Sequence, residues 1–338
     1  MAGKSGRTLI SKPQNQWKQI LISWEAMLVL VFLFVNIYCM NISDNYNLTN
    51  VLRESPRYVA GIFLVFPMAY ILIMADIDIS VGSIVCLAAT MGCFVTNAGA
   101  NFGLVILTVL AVGTVCGWLN GLILTKFPEL PPMIVTLATQ IIFRGIAEIS
   151  LGSGGSMSLT NIDGFRALAQ KAGIVPYTII VAVVFGIIFG VVLMKTTFGR
   201  SLYAIGSNTK AATFAGVPVQ LYRHIVFTIT GFMAGVSALF LTAVLYGANT
   251  TTGSGFELDA IAMCVFGGIS TAGGKGGIIG AVISACTIVC LRIGFGQINL
   301  NPQLILIILG SLLVVAALIP QISDTFKKRE KKKTAKAK

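Results

Sequence analysis

Histidine occurs once, at His224, and acidic residues occur only 12 times in a chain of 338. Charged side chains of every kind make up 11% of the sequence, where soluble domains carry about a quarter. That scarcity excludes an ordinary water-facing surface. One histidine and scattered acids also give no means of assembling a Ser–His–Asp, H-E-x-x-H or paired-carboxylate centre. Catalysis by this chain is therefore not expected. The seven cysteines form no C-x-x-C pair, and the lone histidine offers no partner for a zinc site. They read as small apolar packing residues, with no metal or disulfide implied. A phosphate-binding loop is missing too. The nearest approach is Gly274-Lys275, but G-x-x-x-x-G-K-[ST] needs glycine where Ile269 stands and a hydroxyl where Gly276 stands.

What the chain has in abundance is apolar sequence, 56% of residues, with a mean hydropathy of +0.87. The expected class is an all-α polytopic membrane protein. A span takes about 20 apolar residues. Ten candidates are expected, at about 20–40, 57–75, 79–97, 102–125, 131–150, 177–196, 223–247, 257–272, 277–296 and 302–320. The eighth is short and glycine-rich, so eight or nine true spans also satisfy the pattern. The first run is longer than the apolar core of a signal peptide and no clean cleavage site follows, so it reads as a span. The division is a basic N-terminus at 1–19, a transmembrane body at 20–320 and a basic tail at 321–338.

The net charge of +12 is concentrated, with eight of the 24 basic residues between Lys327 and Lys338. A basic tail beside a span is a topology and lipid-surface signal, not a nucleic-acid site. With the N-terminus inside, 18 of the 24 basic residues fall in cytoplasmic segments. The positive-inside rule then puts both termini in the cytoplasm. Acids and small residues follow the second span (Asp76, Asp78, Ser80, Gly82, Ser83) and again the seventh (Glu257, Asp259, Ala260). Pro131-Pro132 opens the fifth span and Pro302 the tenth. Spans two to five and seven to ten are thus expected to be inverted repeats, because an offset of five spans reverses the topology.

Three polar stretches interrupt the apolar runs. The first is the cytoplasmic loop 197–223. Ser207 or Asn208 can cap a helix start, Ala211, Ala212 and Ala215 favour helix, Gly216 suits the left-handed position after its end and Pro218 stops it. One or two turns of helix are expected, with Phe214 as a knob for a cytoplasmic partner; the alternative is a solvated linker. The second is Asp76 to Ser83. Acids at membrane depth are costly unless they sit at a span end or face a wet cavity. Asp78 either caps the third span or lines a path through the membrane, and Ser80, Gly82 and Ser83 allow close helix approach. The third is the stripe Thr136, Gln140, Arg144 and Glu148, each four apart on the fifth span. Arg144 and Glu148 can pair. The stripe either lines a path for a hydroxylated solute or bonds helix to helix.

These stretches carry a resemblance. Gly199-Arg200, Ala204-Ile205-Gly206-x-Asn208, Ala211-Ala212 and Ala215-Gly216-Val217 resemble the coupling loop of the permease subunits of bacterial ribose-type ABC sugar importers. Asp78 to Ser83 is similar to the family's Asp-Leu-Ser-Val-Gly-Ser block, with Asp76 standing where glycine is expected. Arg144-Gly145 matches as well. The most specific match is Gly253-x-Gly255-Phe256-Glu257-Leu258-Asp259-Ala260-Ile261-Ala262, with Gly267-Gly268-x-Ser270-x-x-Gly273-Gly274-Lys275-Gly276. The resemblance covers about residues 57–320. It implies a bacterial inner-membrane permease paired with a second copy or paralogue. Its partners would be ABC ATPase subunits that hold ATP-Mg and a periplasmic or lipid-anchored sugar-binding protein. No cofactor is expected on this chain and no nucleic acid. The coupling residues would be Gly199, Arg200, Gly206, Asn208, Ala211, Ala212, Phe214, Ala215 and Gly216. The path would run by Asp78, Ser80, Thr136, Gln140, Arg144, Glu257 and Asp259. The competing reading is a self-contained proton-coupled transporter using acids such as Asp76, Asp78, Glu148, Glu257 or Asp259 as relays.

Overall fold

The computed structural model describes residues 24–301, 303–305, 307–308 and 310–311. The two basic arms, 1–19 and 321–338, and most of the tenth expected span lie outside the described residues. The helices are α1 (Trp24–Ile42), α2 (Leu48–Ile73), α3 (Val81–Asn97), α4 (Phe102–Lys126), α5 (Pro132–Leu151), α6 (Asp163–Leu168), α7 (Tyr177–Lys195), α8 (Thr197–Ser207), α9 (Thr209–Phe214), α10 (Val219–Leu245), α11 (Phe256–Phe266) and α12 (Ile278–Gln297). Four short strands are β1 (Ser156–Ser158), β2 (Lys171–Ala172), β3 (Val175–Pro176) and β4 (Gly247–Asn249). β1 pairs antiparallel with β4, and β2 with β3. The chain is an all-α polytopic membrane protein.

Among the described residues seven helices are long and apolar enough to cross a membrane: α1, α2, α4, α5, α7, α10 and α12. The third and eighth expected spans are shorter. α3 has 17 residues and α11 only 11. At about 1.5 Å per residue neither makes a comfortable crossing of about 30 Å. Each follows a stretch of non-helical chain that enters the body of the protein.

α2 and α10 form the centre, and most of their side chains are buried. α2 packs on α7, α10, α11 and α12, while α10 packs on α3 and α4. The α4–α10 contact is made by glycines. Gly113 and Gly117 press against the backbone at Gly231 and Gly235, and a Cβ on Gly121 would stand 2.9 Å from the His224 carbonyl. Such small residues let helix backbones approach where lipid offers no hydrophobic drive for association. The outward faces of α1, α5 and α7 carry exposed Leu30, Phe34, Ile141, Ile149 and Ile187. That surface is untenable in water and suited to hydrocarbon.

The two breaks fix the geometry of the interior. α2 stops at Ile73, Ala75 takes a left-handed φ of 65°, and Asp76 to Ile79 run without helix into α3. α10 stops when Tyr246 takes φ 51°, and the chain returns through β4 and the turn 250–255, with Gly253 at φ 69° and Gly255 at φ 83°. The breaks start at opposite ends of the bundle, because Asp76 sits beside Arg223 at the start of α10 and the second break follows that helix's other end. They meet inside. Gly82 backs onto the Gly253 carbonyl and the Glu257 carboxylate, with no space for a side chain.

Candidate functional site

Two linked features stand out: a pair of short helices at one end of the bundle, and a polar junction in its interior.

α8 and α9 form the end feature. The expected short helix is α9. The Asn208 side chain accepts from the Ala211 N–H at 3.0 Å, Gly216 takes φ 83°, and Pro218 precedes α10. The residues before it are also helical, which sequence reading missed. Phe198, Leu202 and Ile205 recur at helical spacing, and Leu202 and Ile205 are fully buried; glycines at 199 and 206 masked that signal. Both glycines are contact points. Gly199 lies on the Leu193 carbonyl, and Gly206 lies on the Ile73 carbonyl at the end of α2. The Gly274 N–H donates to that same carbonyl at 2.8 Å. The Tyr203 hydroxyl donates to the Gly276 carbonyl at 2.6 Å. α8 thus seats on both the α2–α3 break and the glycine-rich loop between α11 and α12. Arg200, Asn208, Ala211, Ala215 and Gly216 are exposed, and Phe214 is 92% exposed. Ala212 corrects the expectation that it faces a partner. It is 5% exposed, turned inward where its backbone accepts from Val217 and donates to Asn208.

The junction lies deeper. Asp78 and Ser80 are fully buried. Asp78 Oδ1 accepts from the Ser80 N–H at 2.8 Å and from its hydroxyl at 2.6 Å, and Asn120 of α4 donates to Ser80 Oγ at 2.8 Å. Asp78 Oδ2 and Asn120 Oδ1 are buried without a protein partner. α5 straps across both breaks. Thr136 accepts from the Ile79 N–H at 3.2 Å, and the Gln140 amide approaches Glu257 Oε1 at 3.5 Å. Arg144 donates through Nη1 to the Thr250 and Thr252 carbonyls, at 3.0 and 2.8 Å. The expected Arg144–Glu148 pair does not form. Glu148 is exposed, and the guanidinium instead serves carbonyls freed by the second break. Asp259 is held by Arg292 of α12 at 2.6 Å. Asp76 is held by Arg223 through two bonds, at 2.7 and 3.1 Å. Neither arginine partnership was visible in sequence. The residue pairs lie 33 and 147 positions apart, beyond any local spacing rule.

This arrangement of interrupted helices around a buried polar junction defines a class, the membrane transporter with broken spans. The comparisons with known proteins are narrower. Residues 56–317 match the family model described as branched-chain amino acid transport system / permease component, and the chain belongs to that family. It is 31% identical to the ribose import permease protein RbsC of Bacillus subtilis over 293 residues, 86% of this chain and 90% of that one. It is 30% identical to the galactose/methyl galactoside import permease protein MglC of Escherichia coli over 303 residues, 83% and 88% of the two chains. It is 26% identical to the autoinducer 2 import system permease protein LsrD of Photorhabdus temperata over 306 residues, 89% and 92%. No solved structure matches the chain.

Proposed function

We propose that this chain is the transmembrane subunit of an ATP-driven importer and passes a sugar or sugar-like solute to the cytoplasm. The observation that carries the reading is the seating of α8 on Ile73 and on the Gly273–Gly276 turn. A partner that pushes α8 and α9 therefore pushes the ends of both breaks, and with them the junction at Asp78 and Glu257. The solvent-facing knob for that partner is Phe214, flanked by Ala211 and Ala215. The partner is an ABC ATPase subunit holding ATP-Mg, and the basic residues Lys126, Lys195, Arg200, Lys210 and Lys275 support a cytoplasmic position for this end. A second permease copy or paralogue completes the pore. The opposite face, with β1 to β4 and α6, receives the solute-binding protein. The path passes Asp78, Ser80, Gln140 and Glu257, while Thr136, Arg144 and Asp259 hold its walls. Two acids available to a proton relay, Asp76 and Asp259, are engaged by arginines, which weighs against the secondary-transporter reading. The test is uptake into vesicles carrying the full assembly. We expect transport to need ATP and to survive a protonophore. Uptake that persists without ATP and collapses with the protonophore overturns the reading.

A further inference from the structure

We propose that the groove between α1, α2, α7 and α12 holds one acyl chain of an anionic phospholipid, with its headgroup at Lys195. The groove encloses about 620 Å³ and is walled by apolar residues such as Phe32, Val59, Phe66, Gly186, Gly190 and Val282, with Lys195 at one end. It extends along α7 from Ile179 to Lys195. At 1.5 Å per residue that is about 24 Å, most of a hydrocarbon layer of about 30 Å. Gly186 and Gly190 sit one turn apart and form the recess in α7. A Cβ there would stand 3.3 Å from the Phe66 ring or 3.8 Å from Ile278. Val183 and Ile187, which flank the recess, are more than half exposed, so the groove opens sideways to the bilayer.

Away from Lys195 the recess is lined almost wholly by apolar side chains and offers water few partners. An extended acyl chain matches this lining in both chemistry and length. The charge lies at one end only. Lys195 is exposed and has no carboxylate within ion-pair distance among the described residues. Lys275, also exposed, lies three residues before the groove residue Ile278. Lys195 in the groove wall, with Lys275 close to that wall along the chain, matches a phosphate headgroup above a buried acyl chain, and neither has a carboxylate partner among the described residues. α7 continues through Thr196 into α8, whose Gly199 rests on the Leu193 carbonyl. The lipid therefore braces the helix from which the docking end is hung.

The lipid assignment is independent of which solute is carried. The test is native mass spectrometry of the full chain with palmitoyl-oleoyl phosphatidylglycerol and, separately, the phosphatidylcholine of the same chains. We expect one retained phosphatidylglycerol, preferred about fivefold for each lysine engaged. Lys195→Glu should abolish the preference and Lys195→Arg should keep it. Gly190→Phe should lose both lipids, with monodisperse elution confirming that the variant folds. Equal retention of the two lipids, retention unchanged in Lys195→Glu, or no bound lipid in the unaltered protein overturns the proposal. So does efficient disulfide crosslinking of Ile187→Cys to Leu312→Cys or to Ile187→Cys of a second copy, since either puts protein in the groove.

Discussion

Arg144 serves two peptide carbonyls, and its removal leaves both without a donor. Buried groups stripped of a charged partner cost about 1–3 kcal/mol each. That cost falls on the turn 250–255, which holds Glu257 in place, so Arg144→Met should loosen this turn before it unfolds the protein. A reporter lies alongside. Cys86 Sγ is 3.6 Å from the Asn249 carbonyl and is buried. With Cys286 and Cys290 replaced by serine, maleimide labelling of Cys86 should speed up in Arg144→Met while membrane insertion holds. Unchanged labelling would mean that the arginine does not hold the turn. Asp76 and Arg223 make a different case. Their side chains are 5% and 13% exposed, and breaking one side of a buried pair costs about 3–5 kcal/mol. Asp76→Asn should lower the melting temperature in detergent. The joint change Asp76→Leu with Arg223→Met should restore much of it, because neither charge is then left alone.

At the scale of elements, the short helix α9 was legible because its punctuation is local. Asn208, Gly216 and Pro218 act on their own backbone within a turn. α8 was hidden because Gly199 and Gly206 look like helix breakers. Their purpose is visible only in three dimensions, as close approaches to Leu193 and Ile73. Seven of the ten expected spans were legible from hydropathy alone, yet α3 and α11 came out shorter than expected, since hydropathy counts apolar residues and not the helical hydrogen bonds among them. The polar stripe on α5 was legible as a stripe; its targets, the carbonyls and amides of two distant breaks, were not. Folding also reassigns the face of α9. Alanines at 211, 212 and 215 look alike in sequence, but only Ala212 is turned inward. Phe214→Ala should therefore reduce stimulation of the partner ATPase and transport while leaving the permease stable. Ala212→Arg should instead destabilise the α9 region and lower the yield of folded protein. If Ala212→Arg folds normally and loses only coupling, the inward placement of that face is wrong.

At the scale of the whole molecule, the charge bias bears on which end faces the cytoplasm. The α8–α9 end holds Lys126, Lys195, Arg200, Lys210, Arg223 and Lys275, while the far end holds Arg53, Arg57, Arg166 and Lys171. Six against four is a modest bias over these residues. The proposed ATPase contact agrees with this bias, because ATP is cytoplasmic and Phe214 stands exposed at that end. The packing of the central helices bears on the repeat expected from sequence. α2 packs against α11 and α10 against α3, so each unbroken central helix meets the broken span of the other half. The α2–α3 and α10–α11 breaks start at opposite ends of the bundle, as inverted halves would place them. Single cysteines at Phe214 and Ile174, both on exposed sites at opposite ends, separate the alternatives in a background without native cysteines. In intact cells an impermeant maleimide should label Ile174→Cys and leave Phe214→Cys untouched until the membrane is opened. In inside-out vesicles the order should reverse. Labelling of Phe214→Cys from outside intact cells would turn the protein over and remove the basis for an ATPase at α9.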